Sequence, residues 1–176
     1  MLFNICCPSM TKLTYKYGQI FLAFVSCIVF LCSLYFQYVQ HMQPCPLCLM
    51  QRLMVFLLLV FYLLGAYVNN LRSRKIIIVS QGIIALGGVF FATRQMWLQS
   101  LPANQTPACM PGLEVLIQYF PWQDVLRTLL WGTEDCAEIS WQWLGLSMPA
   151  WSTLYFLGML FATLVFLRDL FVVKNK

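Results

Sequence analysis

A bundle of four membrane-spanning helices is the fold class this sequence predicts, and three observations predict it. The chain is 61% hydrophobic and 10% charged over 176 residues, with a mean hydropathy of +0.74. That is too apolar for an ordinary soluble domain. Its apolar residues gather in four runs, each close to the roughly 17 to 25 residues that cross a hydrocarbon core. Most of its lysines and arginines flank those runs on one side only, which is how loops sort across a membrane. The runs give an all-α membrane protein with spans at about 18–36, 50–68, 76–94 and 148–167 in a single integral domain over 1–176. Loops fall at about 37–49 and 95–147.

Taken in order, Lys12 and Lys16 precede the first span. Its run is too long for the apolar core of a secretory signal and no small-x-small site closes it, so it reads as an uncleaved anchor. The second span is short unless its helix begins near Cys45, which draws Arg52 into the interfacial layer, where a long side chain snorkels to the headgroups. Arg72, Arg74 and Lys75 join spans two and three, and Arg168, Lys174 and Lys176 follow span four. Basic flanks of this kind are cytoplasmic, which predicts cytoplasmic N- and C-termini. Residues 97–143 instead carry Glu114, Asp124, Glu134, Asp135 and Glu138 against a single Arg127, as a translocated loop does. Arg94 ends span three on that outer side, as an interfacial arginine or one facing the same pocket as Arg52. The net charge of +5 records this bias, and no basic patch with interleaved aromatics points to nucleic acid.

The outer loop is the only substantial extramembrane part. Pro102, Asn104 and Pro107 keep 101–107 extended, presenting Cys109 on accessible chain of the kind that docks into a partner's groove. Leu113, Leu116, Ile117 and Phe120 then fall on one helical face, and 125–131 repeats the pattern. With Trp122 and Trp131 beside them, these predict one or two short helices on the membrane surface; the alternative is a small loop core. Trp141 and Trp143 are expected at headgroup level, and Gly145, Pro149 and Trp151 mark the start of span four.

Four of the eight cysteines lie on the outer side. Cys45 and Cys48 form a Cys-x-x-Cys pair at a helix start, where unpaired amides and the helix dipole favour thiolate at Cys48. Arg52 is on the same helical face, about 6 Å further along the axis, and can stabilise a thiolate or a reduced oxygen. An aromatic-rich membrane edge with an arginine beside a thiolate is a plausible seat for a quinone. Cys109 and Cys136 complete the set. Zinc held by all four is one alternative, although an exported, oxidising setting favours disulfides, and we assign no metal. Inert disulfides are another, but a Cys-x-x-Cys closes almost no loop and restricts the unfolded chain little. Cys109 and Cys136 remain open to a structural role, and four cysteines allow three pairings. Cys27 and Cys32 in span one read as small apolar side chains, Cys6 and Cys7 as reduced cytoplasmic thiols, and His41 as a solvated loop residue.

Taken together, the four spans, Gln43-Pro44-Cys45-Pro46-Leu47-Cys48 with Gln51-Arg52, Pro107-Ala108-Cys109, Asp135-Cys136-Ala137-Glu138 and Trp143-Leu144-Gly145-Leu146-Ser147-Met148-Pro149 form a specific combination. It resembles the bacterial disulfide bond formation protein B (DsbB) family over essentially the whole chain. The resemblance implies a thiol oxidase of the bacterial inner membrane, with ubiquinone or menaquinone as cofactor and a DsbA-like periplasmic thiol oxidase as partner, a relay known to keep the periplasm oxidising. It implies that Cys109 and Cys136 form the disulfide that accepts electrons from the partner, Cys109 through a mixed disulfide. Cys45 and Cys48 would receive them next, Cys45 exchanging with Cys136 and Cys48 lying beside the quinone with Arg52 assisting. One departure is that some relatives carry a histidine near the outer end of span three, where 98–101 offers only Gln99 and Ser100. Two other readings are a vitamin K epoxide reductase-like protein, whose active pair is expected late in the chain, and a non-enzymatic metal-binding or structural membrane protein.

Overall fold

The computed structural model describes residues 12–41, 44–101, 121–137 and 141–174. Cys6, Cys7, Cys109 and the helix expected over 113–120 lie outside the described residues.

Helix α1 runs Lys12–Tyr38, α2 Pro46–Tyr67 and α3 Leu71–Gln99; a short α4 occupies Trp122–Trp131 and α5 runs Met148–Lys174. Four of these, all but α4, are long and apolar enough to cross a membrane. The α2 helix begins where a span of adequate length requires. Cys45 is extended at φ −67°, ψ 162°, its sulfur accepts the Cys48 N–H, and Pro46 fills the first turn, a position whose missing N–H breaks no helical bond. Asn70 likewise caps α3 by accepting the Arg72 N–H. The third helix continues past the expected end at 94 to Gln99, so Arg94 lies within it and does not terminate it.

The helices pack α1 on α2, α2 on α3 and α3 on α5. Buried Ala23, Leu58, Tyr62, Ala85, Ala92, Phe156 and Met159 form the central core, while Phe21, Phe24, Ile83 and Phe161 turn outward at 64%, 62%, 65% and 70% exposure. Large apolar side chains facing out along spans are consistent with lipid as the solvent on that face. Inside, polar side chains tie helices together: Gln81 donates to Gln19 at 2.8 Å and to the Phe61 carbonyl at 3.0 Å, and the Ser26 and Tyr155 hydroxyls meet at 2.7 Å. Such bonds and close contacts at small residues hold helices together where no hydrophobic difference drives association.

Gly88 is one such contact. A Cβ there would lie 2.3 Å from the Phe156 ring, and Phe156 is fully buried. Gly→Ala gains about 1 kcal/mol in helix propensity, but overpacking a fixed core costs about 1–3 kcal/mol. Because the ring has no exposed side into which to move, we expect Gly88→Ala to lower the unfolding midpoint in detergent. An unchanged or raised midpoint would show that α5 yields.

A two-stranded antiparallel hairpin, β1 (Gln142–Trp143) and β2 (Leu146–Ser147), precedes α5. Its turn residues Leu144 and Gly145 have φ of 55° and 77°, the left-handed pair that matches strand twist in a two-residue hairpin. From the sequence this stretch is expected as the end of the outer loop, with no strand. The Trp151 Nε1–H donates to the Trp143 carbonyl at 3.3 Å, fastening the hairpin to α5.

Candidate active site

The Cys-x-x-Cys pair sits at the cap of α2. Because Cys45 is the cap and Cys48 lies in the first turn, one turn of helix brings their sulfurs to 2.9 Å, with the Cys48 N–H 3.4 Å from the Cys45 sulfur. Both thiols are free. Helix α3 passes beside them and contributes Gln95, whose Nε2 lies 3.2 Å from the Cys48 sulfur and 3.6 Å from that of Cys45. Gln51, one turn along α2 from Leu47, donates to the Gln95 oxygen at 2.7 Å.

The third thiol arrives from the loop. After α4, Gly132 turns the chain at φ 81°, and a Cβ on it would lie 2.8 Å from methyl carbons of both Leu47 and Leu98. Only glycine seats the loop this closely on α2 and α3. A single 3₁₀ turn, Glu134–Cys136, follows, and Cys136 is fully buried in a cluster with Cys45, Leu47, Phe91 and Leu98. Its thiol is pulled down to about 6, chiefly by the hydrogen bond from Cys45, with backbone N–H groups of Thr133 and Leu47 adding to it and burial opposing. Cys45 is pushed up, because it donates to Cys136 and Cys48 and is buried. Cys136 is thus the charged partner of that pair and Cys45 the proton holder. Among the described residues, no group of three or more His, Cys, Asp or Glu is arranged to hold a metal ion.

A cavity of about 600 Å³ opens beside the pair between α1, α2, α3 and α5. Its walls include Cys48, Gln51, Arg52 and Gln95 on one side and Ile28, Val29, Phe36 and Tyr155 elsewhere, with Trp141 from just before the hairpin and Trp151 from α5. Arg52 is fixed in this wall by α1. Its Nε donates to the Ser33 hydroxyl at 2.6 Å, one terminal nitrogen donates to the Ser33 carbonyl at 3.0 Å and the other to the Gln37 side-chain oxygen. All these acceptors are neutral, so they orient the guanidinium without cancelling its charge.

A family model described as disulfide bond formation protein DsbB matches residues 16–166. The chain belongs to the DsbB family. Among similar curated proteins, disulfide bond formation protein B of Hahella chejuensis is 45% identical over 72% of this chain and 77% of its own length. Disulfide bond formation protein B 1 of Pseudomonas aeruginosa is 43% identical over 85% of this chain and 94% of its own. That of Acinetobacter baumannii is 36% identical over 87% and 91%.

For this DsbB-family chain the sequence named Cys45, Cys48 and Arg52 together; Cys48 and Arg52 line the cavity, and Cys45 lies behind Cys48 in the buried cluster. Cys136 joins them, and Cys109 lies outside the described residues. Arg94 is not on the cavity wall: its guanidinium stacks over Trp97 at 4.3 Å and Trp131 at 5.3 Å, and its Nε donates to the Trp131 carbonyl at 3.4 Å. It thereby pins α4 to α3. Cys32, read from sequence as an inert apolar side chain, lines the cavity. Trp141, expected at headgroup level, also lines it and meets Phe36 edge-on at 5.3 Å. His41 is exposed at a positive φ of 53°. Gln95 carries no mark in the sequence, because its partners lie on another helix.

The Cys136 environment has a pH signature. A thiol held at about 6 stays thiolate above that pH and protonates below it. The reduced protein should therefore lose thiolate ultraviolet absorbance in a step near pH 6, and Cys136→Ser should remove that step. A wild-type titration with only the ordinary thiol value near 9.0 would contradict the assignment.

Proposed function

We propose that this protein is a quinone-linked thiol oxidase of the bacterial inner (cytoplasmic) membrane that reoxidises a DsbA-like periplasmic dithiol oxidase. In this reading the chain is a single domain over 1–176 with cytoplasmic termini, and the four redox cysteines face the periplasm. The observation that carries it is the placement of Cys48: it is within 2.9 Å of Cys45 and on the wall of a cavity between the four long helices that also holds Arg52. A thiol pair in contact with both another thiol and an apolar chamber can take electrons from one side and deliver them on the other.

The cavity suits a quinone, ubiquinone or menaquinone, by its donor set and shape: mostly apolar aromatic walls for a ring and prenyl tail, with one oriented cation. When bound, the quinone supplies a two-electron, two-proton acceptor from the membrane pool. The residues of the chain do the rest. A thiolate of the reduced partner attacks the Cys109–Cys136 disulfide at Cys109 and releases Cys136 as thiolate; the partner's second thiol then attacks the mixed disulfide, closing the partner's own disulfide and freeing Cys109. Cys136, thiolate at neutral pH and packed on Cys45, then attacks the Cys45–Cys48 disulfide at Cys45. The bond to Cys48 breaks and leaves its charge on that sulfur. Free Cys109 attacks Cys136, which restores the Cys109–Cys136 bond and frees Cys45 with a proton. Arg52 holds a positive charge beside the wall where negative charge collects.

The test mixes purified protein with reduced DsbA-like partner and a soluble quinone and follows quinone absorbance. Loss of quinone that requires the partner, and that disappears in Cys109→Ser while quinone binding persists, is expected. Partner-linked turnover unchanged in Cys109→Ser would sink the assignment, and stoichiometric zinc with no turnover would favour a metal-binding role.

A further inference from the structure

Gln51 and Gln95 are buried at 6% and 4% exposure, on two different membrane-level helices, and their amides meet beside sulfur. A buried amide is costly unless its groups are hydrogen-bonded, and here the shortest bond sets the orientation. Gln51 Nε2 donates into the Gln95 oxygen at 2.7 Å, which leaves the Gln95 amide nitrogen turned toward Cys48 at 3.2 Å and Cys45 at 3.6 Å. The Cys48 S–H also donates to the Gln95 oxygen, at the longer distance of 3.5 Å, so the amide nitrogen is the nearer group. One amide therefore spans both sulfurs with its donor end nearer.

We propose that Gln95 is a catalytic side chain of the Cys45–Cys48 pair, its amide N–H group solvating the sulfurs in their reduced form, and that Gln51 is the positioning residue that keeps the donor end toward them. The proposal rests on the thiol-oxidase reading and deepens it. Reducing the Cys45–Cys48 disulfide breaks one S–S bond and adds two electrons from a donor dithiol, whose sulfurs close into a disulfide. Two protons leave that donor, and those not retained by Cys45 or Cys48 go to solvent. A neutral disulfide gains little from an N–H donor, whereas reduced sulfur carrying charge gains much more. The amide thus favours the reduced pair and makes its disulfide a better electron acceptor. That is what a pair fed by an oxidising partner requires. The other charged or titratable groups facing the pair are Cys136 from the 3₁₀ turn and Arg52 from α2; neither is altered by changes at Gln95.

The experiment equilibrates the full-length protein in detergent with glutathione buffers, without partner or quinone, and counts Cys45–Cys48 dithiol by thiol tagging and peptide mass. In Gln95→Leu the equilibrium should move about tenfold toward disulfide, equivalent to about 30 mV for a two-electron couple. Gln95→Glu keeps the size of the side chain and replaces the donor by an acceptor, so it should move the equilibrium at least as far. Gln51→Leu should move it in the same direction by less, and adding it to Gln95→Leu should change nothing more. A purely structural role would lower the unfolding midpoint in these variants and leave the equilibrium alone. Values within twofold of wild type in both Gln95→Glu and Gln51→Leu would overturn the proposal. Because no partner or quinone is present, that result would stand apart from failure of the thiol-oxidase reading, which the partner-linked assay reads.

Discussion

Cys48→Ser is expected to lose quinone reduction by on the order of a thousandfold or more, the scale on which removal of a nucleophile is felt, while still forming a mixed disulfide with the reduced partner. The argument is positional. Of the three thiols gathered at the end of α2, Cys48 alone lines the cavity; Cys45 and Cys136 lie behind it in the buried cluster with Leu47 and Leu98. Serine preserves the size and the first-turn position but cannot pass a sulfur-borne electron pair. Partner capture needs only the proposed Cys109–Cys136 disulfide, so it survives, and the two electrons stay on those sulfurs because no Cys45–Cys48 disulfide exists to take them. Cys32 is the competing sulfur, since it lies on the α1 wall of the same cavity. Turnover that persists in Cys48→Ser and disappears in Cys32→Ser would reassign the terminal thiol.

What sequence made legible here is local. Apolar runs, the Cys-x-x-Cys at a helix start and Arg52 one turn beyond Cys48 all depend on neighbours within a few residues, and helical periodicity converts those spacings into a shared face. The amphipathic stretch at 125–131 likewise forms α4, starting a little earlier at Trp122. Contacts across the bundle were another matter. Gln95 meets a sulfur that lies 47 residues away in sequence, and no pattern within α3 marks it. Its neighbour Arg94 is the conspicuous residue in the sequence, because a charge near a span end is rare. Successive residues on a helix point about 100° apart, so when Gln95 faces the thiols Arg94 must turn away, and it finds Trp97 and Trp131. The hairpin at 142–147 was hidden for a different reason. Its strands are two residues long, too short to show an alternating pattern, and its turn places Leu144 at a positive φ, a conformation that leucine seldom adopts.

The second large effect is expected at Arg52. Arg52→Met keeps most of the stem and removes the guanidinium, which should raise the quinone KM at least tenfold and lower kcat as well. A hydrogen bond to a charged group is worth about 1.5–3 kcal/mol, and the acceptors that hold Arg52, the Ser33 hydroxyl and carbonyl and the Gln37 oxygen, leave its charge uncompensated on the cavity side. The same bonds join α1 to α2, so a loss of activity could also come from loosened packing. Two further variants separate these causes. Ser33→Ala removes one acceptor and leaves the cation, so it should lower the unfolding midpoint slightly and change KM by less than Arg52→Met does. Arg52→Lys keeps the charge but not the planar fork that reaches Ser33 and Gln37 at once, so it should rescue KM only in part. Stability losses of equal size in Arg52→Met and Ser33→Ala, with equal rises in KM, would mean that Arg52 is a strut between helices rather than the cation of the cavity.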